Sequence, residues 1–109
     1  MKPKTNHIED AIKLILPGII SVAQPQRVVL FGSAASGSAG TESDLDFLVI
    51  VPDGQSIAAV SDRLNMELRH KPMPCDFVVA TPSMLRRHEK NQASVYTQAL
   101  TRGRELYAA

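Results

Sequence analysis

FGSAASGSAGTESDLDFLVI, residues 31–50, joins two apolar segments through a loop of small residues. The first segment runs into Gly32 and Ser33, and the second begins with Asp44 and Asp46, which are separated by one leucine. Side chains alternate along a strand, so both carboxylates point to one face, with Cα atoms about 6.5–7 Å apart. Because an unpaired buried carboxylate is costly, this face must hold a partner for the acids or lie open at a strand end.

Composition describes an ordinary globular chain of 109 residues, for which we expect a single domain, residues 1–109. Its 12 basic and 11 acidic residues give a net charge of +1, which argues against nucleic acid as the partner. A single cysteine excludes an intrachain disulfide and a multi-cysteine zinc site, and it suits the reducing cytoplasm. No apolar run approaches the roughly 20 residues of a membrane span, so no membrane association is expected.

Hydrophobic periodicity predicts alternating helices and strands. The predicted helices cover residues 8–23 (kinked or split at Pro17), 56–70 and 82–101, and the predicted strands cover residues 27–31, 45–51 and 75–80. Gly103 is expected to close the last helix. This order predicts a small α/β (α+β) domain with a mixed three-stranded sheet flanked by helices. The first two strands are joined by barely the dozen residues that a parallel crossover needs. A connection of this length fits a mixed sheet or antiparallel pairing of these strands at least as well as parallel pairing.

Familiar phosphate and calcium loops do not account for the stretch. Gly32 and Gly37 have the spacing of a P-loop, but Ser38 stands where that loop needs lysine. The glycines do not form the dinucleotide pattern G-x-G-x-x-G, and Leu48 occupies a position where an EF-hand needs an oxygen ligand.

The remaining interpretation is a metal and phosphate site. Asp44 and Asp46 on one strand face can share hard cations that take oxygen ligands, magnesium above all. Asp76 opens the third predicted strand and supplies another carboxylate. Gly32 leaves room for close approach of a phosphate, and Ser33 adds a hydroxyl donor. Three acids facing one point would repel each other without a cation.

These residues resemble the signature of the nucleotidyltransferase superfamily that includes DNA polymerase beta and kanamycin nucleotidyltransferase. That signature is Gly-Ser, about ten residues, and two acids one residue apart, which corresponds here to Gly32-Ser33 and Asp44-Leu45-Asp46. The chain is more closely similar to the minimal nucleotidyltransferases of prokaryotes. The resemblance extends to CDFVVATP around the third acid and to RGRELY near the last residues. It implies the nucleotidyltransferase fold.

The resemblance also implies roles for individual residues. Asp44 and Asp46 would bind two magnesium ions, and Asp76 would complete one metal site and help to activate the attacking hydroxyl. Gly32 and Ser33 would hold the β- and γ-phosphates of a nucleoside triphosphate, with ATP the expected substrate. The implied reaction is in-line attack on the α-phosphate with release of pyrophosphate.

One departure from the family concerns charge. Close relatives often carry arginines just after Gly-Ser, and this chain has Ala34, Ala35 and Ser36 there. A missing arginine is a missing charge-assisted contact to phosphate. Lys71 or the Arg86-Arg87 pair could take the place of these arginines. The ordinary interpretation of both is a solvated helix end, and it is the favoured one.

Minimal nucleotidyltransferases are commonly paired with a HEPN protein as toxin and antitoxin, and some transfer AMP to a tyrosine of that toxin. The first hypothesis is therefore an antitoxin enzyme that adenylylates a helical HEPN-type partner. The second is a non-catalytic module that neutralises its partner by contact, which the missing arginines favour. The third is transfer to a small molecule, for which an oligomer or a partner would have to complete the acceptor pocket.

Overall fold

The protein, seen here in a computed structural model, is described over residues 4–32, 35, 44–70 and 74–109, with only the backbone for residues 4–7. Four helices and four strands have defined bounds in this part of the chain. The helices are α1 (Lys4–Ala23), α2 (Ile57–Glu67), α3 (Pro82–His88) and α4 (Val95–Arg102). The strands are β1 (Arg27–Phe31), β2 (Leu45–Ile50), β3 (Cys75–Ala80) and β4 (Arg104–Ala108).

The strands form one mixed sheet in the order β3-β2-β1-β4. β1 pairs antiparallel with β2 and with β4, whereas β2 and β3 are parallel. The parallel pair needs a crossover, and α2 supplies it between the two strands. The predicted fold class, a small mixed sheet flanked by helices, is confirmed.

The predicted number of strands was wrong, because β4 adds a fourth. This strand pairs with β1 from Arg27↔Ala108 to Leu30↔Arg104, with a register shift between Val28 and Val29. Its first residues are charged and exposed, as is common for an edge strand, so no apolar run marks it in the sequence.

Two ion pairs hold β4 in place. Glu105 accepts a hydrogen bond of 2.6 Å from Arg27 on β1. Arg104 forms a two-pronged pair with Glu9 on α1, with 2.9 Å between Arg104 Nη2 and Glu9 Oε2. All four side chains are substantially exposed, so each pair contributes at most about 1 kcal/mol.

The turn from α4 into β4 requires a residue without a side chain. A Cβ on Gly103 would lie 2.6 Å from Val29 Cγ1 and 2.8 Å from the carbonyl oxygen of Leu30. Backbone oxygens of β1 cannot move aside without breaking the sheet, so glycine is needed here for close packing. The predicted helix end at Gly103 is confirmed, and the additional strand begins at the next residue, Arg104.

The sheet has an apolar layer on each face. α1 and α2 cover the first face, whose buried strand residues are Val28, Leu30, Leu45, Phe47, Val49 and Val79. α3 and α4 cover part of the second face, where the buried residues are Val29, Leu48, Ile50, Ala80 and Ala99. The half-buried Met84, Leu85 and Tyr96 pack against this second layer.

Two helix predictions need correction. Of the two alternatives predicted for Pro17, a kink or a split, the split is wrong, because α1 continues through this residue, whose ring is exposed. The predicted helix over residues 82–101 is two helices, since Ser94 caps α4 by accepting a hydrogen bond of 3.2 Å from the Tyr96 amide. Asn91 stabilises the turn between them by accepting a bond from the Ala93 amide. Over the described residues, no helix combines the length and apolar character that crossing a membrane requires.

Candidate active site

Gly32 and Asp46 are in direct contact at the end of β1. The antiparallel register places Asp46 opposite Phe31, the last residue of β1. Gly32, which follows the strand, therefore lies under the aspartate side chain. Gly32 has a φ of +76°, and a Cβ on it would overlap Asp46 Oδ2 and lie 3.4 Å from Asp46 Cγ. Glycine is therefore required here both for its backbone conformation and for the room it leaves beside the carboxylate.

Asp76 is the neighbour of Asp46 on the other side. The parallel register of β2 and β3 pairs Asp46 with Asp76, on strands that lie about 4.8 Å apart. Asp46 thus stands between the end of β1 and the beginning of β3. Sequence alone placed the two acids on separate strands, and the register shows that they are adjacent.

The acids share the second face of the sheet. Leu45 and Phe47, on either side of Asp46, are buried in the layer under α1 and α2, so Asp46 points the other way. Asp44 precedes β2 with the same alternation and is exposed. Asp76 is also exposed, whereas Asp46 is half-buried. The acids therefore lie at the open end of the face that α3 and α4 cover only in part.

The negative charges of the neighbouring acids act on Asp46. Burial raises the pKa of Asp46 above its usual value, and the negative charges of Asp76 and Asp44 raise it further. An opposite charge would relieve this repulsion.

A hard divalent cation fits this donor set, since all three groups supply carboxylate oxygens, the ligands that magnesium prefers. Within the ranges that the structure describes, however, no three His, Cys, Asp or Glu side chains stand close enough together to form a complete metal site. The acids are gathered on one sheet edge, and their side chains would have to converge further to share an ion.

Two predicted contributors lie outside the described residues, and a third lies away from the acids. Ser33, which the resemblance assigns to phosphate binding, lies outside the described residues, as does Lys71. Arg86 is 3.8 Å from Asp53 and donates a hydrogen bond of 3.0 Å to Ser83 Oγ. Because Asp53 lies three residues beyond the last residue of β2, Arg86 is held near the opposite end of that strand from the acids. Arg86 therefore does not replace the missing loop arginines.

The sequence did not predict that residues of α4 lie beside Gly32. Val95, Gln98 and Arg102 line a cavity of about 370 Å³ together with Phe31 and Gly32. Their spacing of three and four residues places them on one helix face, which the sequence does show. The sequence has no local signal that this face lies beside the end of β1.

Comparison with known proteins gives the family. The sequence model of the nucleotidyltransferase domain matches residues 12–100, most of the chain. The chain belongs to the nucleotidyltransferase domain family. The resemblance seen in the Gly-Ser and Asp-x-Asp motifs is thereby confirmed. No curated protein is significantly similar to this nucleotidyltransferase in sequence.

Solved structures share the nucleotidyltransferase fold. A Sulfolobus solfataricus protein assigned as a nucleotidyltransferase matches with a TM-score of 0.55 and 22% identity, over 80% of this chain and 82% of its own. A toxin–antitoxin structure with AMP-PNP matches with a TM-score of 0.54 and 22% identity, over 89% of this chain and 73% of its own. At this identity the likeness is one of fold.

Asp46→Asn is expected to stabilise the metal-free nucleotidyltransferase, because it removes a charge that burial and two neighbouring acids disfavour. After allowance for solvent screening, we expect about 0.5 kcal/mol, or a rise of about 2–4 °C in Tm. Millimolar magnesium or manganese should raise the Tm of the wild type and have little effect on Asp46→Asn, since a ligand of the folded state stabilises it.

Asp62→Asn is the matched control, because Asp62 is an exposed aspartate on α2. It should leave both the metal-free Tm and the response to metal unchanged. Equal metal responses in the wild type and Asp46→Asn would contradict the assignment of Asp46 to a metal site.

Proposed function

We propose that this nucleotidyltransferase transfers AMP from ATP to a hydroxyl group of a protein partner, in the role of an antitoxin. The observation that carries the proposal is the position of Asp46, in contact with Gly32 and paired in register with Asp76. A phosphate seated over the backbone at Gly32 would lie beside the acid cluster. Family membership supports nucleotidyl transfer as the chemistry.

The three acids are proposed to have separate roles in metal binding. Asp44 and Asp46 would hold two magnesium ions, and Asp76 would complete one of the two sites. Bound ions would supply positive charge to the attacking and leaving oxygens of an in-line displacement. Gly32 and Ser33 would seat the β- and γ-phosphates, which places the α-phosphate toward the carboxylates.

The reaction balances as a simple transfer. The acceptor oxygen forms a bond to the α-phosphorus while the bond from that phosphorus to the bridging oxygen of pyrophosphate breaks. Asp76 takes the proton of the acceptor hydroxyl. The products are an AMP ester of the acceptor and pyrophosphate.

A protein acceptor suits the site, because in the described part of the chain Asp44 and Asp76 are exposed and Asp46 is only half-buried. The similarity in fold to a toxin–antitoxin structure with AMP-PNP supports a toxin as that partner. We propose a helical HEPN-type protein, modified on a tyrosine, in the cytoplasm.

The docking surface is proposed to lie on the helices of the first face. Leu14 on α1 and Met66 on α2 are large apolar side chains exposed by 71% and 68%. They lie on the helices that cover the face opposite the acids. Docking there would leave the acid cluster accessible to ATP.

Intact-mass spectrometry tests the proposal. The nucleotidyltransferase would be co-purified with a HEPN-type protein encoded next to its gene and incubated with ATP and magnesium. The partner should gain about 329 Da, the mass of one AMP group, per transfer. A neutralised partner of unchanged mass would contradict the enzymatic proposal and support neutralisation by contact, to which the uncharged residues after Gly32 also point.

A further inference from the structure

The connection between β1 and β2 provides no cation for a polyanionic substrate. Residues 33–43 contain no lysine, arginine or histidine, and Glu42 adds a negative charge. The connection ends at Asp44, next to the acid cluster. If ATP binds at this end of the sheet, as proposed above, its phosphates need positive charge from another element as well as from metal.

α4 brings an arginine to the same place. Arg102 lines the cavity of about 370 Å³ that Gly32 also lines, with Gln98 one helical turn before it. A cavity of this size is within the range of about 300–1,000 Å³ for small-molecule sites. Among the described lining residues, Phe31 and Val95 are apolar, and Gln98 and Arg102 carry polar groups.

Unlike Arg27 and Arg104 on β1 and β4, Arg102 has no carboxylate partner among the described residues. Arg27, Arg86 and Arg104 each pair with an acid, at 3.8 Å or less. Among the residues described, the Arg102 guanidinium makes no ion pair, and its side chain is exposed. It is therefore available to an anion in the cavity.

We propose that Arg102 is a triphosphate-binding residue of this nucleotidyltransferase and takes the place of the arginines that are missing after Gly32 and Ser33. The inference rests on the proposed function and adds a residue to its site. The guanidinium would donate charge-assisted hydrogen bonds to the β- and γ-phosphates, and the Gln98 amide would donate a further, weaker bond. The cavity thereby selects a triphosphate over a monophosphate.

If Arg102 had a purely structural role, its replacement would affect the stability of the fold and not the binding of phosphates. A cation in the last turn of a helix interacts favourably with the free carbonyl groups there. Loss of that interaction would lower the stability of the folded chain and would not distinguish between ligands by their number of phosphates.

Calorimetric titrations of Arg102→Gln separate the two roles. The ligands would be magnesium with AMP-PNP, with inorganic tripolyphosphate and with AMP. We expect Arg102→Gln to bind AMP-PNP and tripolyphosphate about 10- to 100-fold more weakly than the wild type, and AMP less than about threefold more weakly. Arg102→Lys should recover part of the affinity, because it keeps the charge and loses the two-pronged geometry.

Arg87→Gln is the matched control, since Arg87 is an exposed arginine on α3 that does not line the cavity. It should bind all three ligands within about twofold of the wild type. Unchanged affinity of Arg102→Gln for AMP-PNP would overturn the inference, as would an equal loss for all three ligands.

The tripolyphosphate and transfer assays keep this inference distinct from the proposed function. Arg102-dependent binding of tripolyphosphate without AMP transfer by the wild type would uphold the inference and refute the function. AMP transfer that is undiminished in Arg102→Gln would uphold the function and refute the inference. A wild type that binds neither AMP-PNP nor tripolyphosphate would overturn both.

Discussion

Asp46→Asn is expected to lower the rate of AMP transfer to the partner by about 10³-fold or more, while the Tm of the metal-free protein rises. Loss of one carboxylate would weaken the binding of the magnesium ions, which are proposed to supply several kcal/mol of charge stabilisation to the transferring phosphate. Each 1.36 kcal/mol is a factor of about ten in rate. Asp44→Asn should behave alike. The measurement is the initial rate at which the partner gains about 329 Da in the presence of ATP and magnesium.

The complex itself should survive the substitution. The acids lie on the second face of the sheet, and the proposed docking helices α1 and α2 cover the first. Asp46→Asn should therefore co-elute with the partner in size-exclusion chromatography as the wild type does. Transfer by Asp46→Asn within about tenfold of the wild-type rate would contradict the catalytic role.

Gly32→Ala is expected to impair both folding and transfer. The backbone of Gly32 is left-handed, which costs an alanine about 1–2 kcal/mol. The added Cβ would also meet the carboxylate of Asp46 and force it away from its position. We expect a destabilisation of about 2–3 kcal/mol in denaturant unfolding and a loss of about 100-fold in transfer rate, since misplacing a reacting group by about 1 Å has an effect of that size.

Gly54→Ala separates the two causes. Gly54 also has a left-handed backbone, with φ +94°, but nothing lies within 4 Å of the position of its Cβ. This variant should therefore show the backbone cost alone, about 1–2 kcal/mol, with an unchanged transfer rate. If Gly32→Ala and Gly54→Ala were equally stable and equally active, the contact between Gly32 and Asp46 would have no functional importance.

Local sequence was sufficient to predict the strands that hold the acids. β1 and β3 have the predicted bounds, and β2 ends one residue before its predicted end. The agreement is close because each strand is an apolar run that begins or ends at a break such as Pro52 or Pro74. The helix that joins β2 to β3 was predicted over residues 56–70 from its single apolar stripe. In the structure Ser56 is its N-cap and the helix ends at Glu67, three residues before the predicted end. Periodicity and turn residues act within a few positions, so they serve well for such elements.

Features that depend on contacts between distant segments could not be predicted in this way. β4 is stabilised by pairing with β1 and by the ion pair of Arg104 with Glu9, neither of which leaves a local pattern. The position of Arg102 beside Gly32 depends likewise on how α4 packs on the sheet. The break between α3 and α4 is different, because it has a local signal in the sequence. Asn91 is a typical turn residue and Ser94 is a typical N-cap residue.

The pairing of β2 with β3 also determines when the acid cluster can exist during biosynthesis. β1 and β2 are consecutive antiparallel strands and can pair as soon as both have emerged, which unites Gly32 with Asp46 first. Asp76 joins them only after α2 has been made and folded back, since parallel strands are non-local partners and pair slowly. A partly synthesised chain would therefore hold only two of the three carboxylates, and the proposed nucleotide chemistry would have to wait until β3 has emerged from the ribosome.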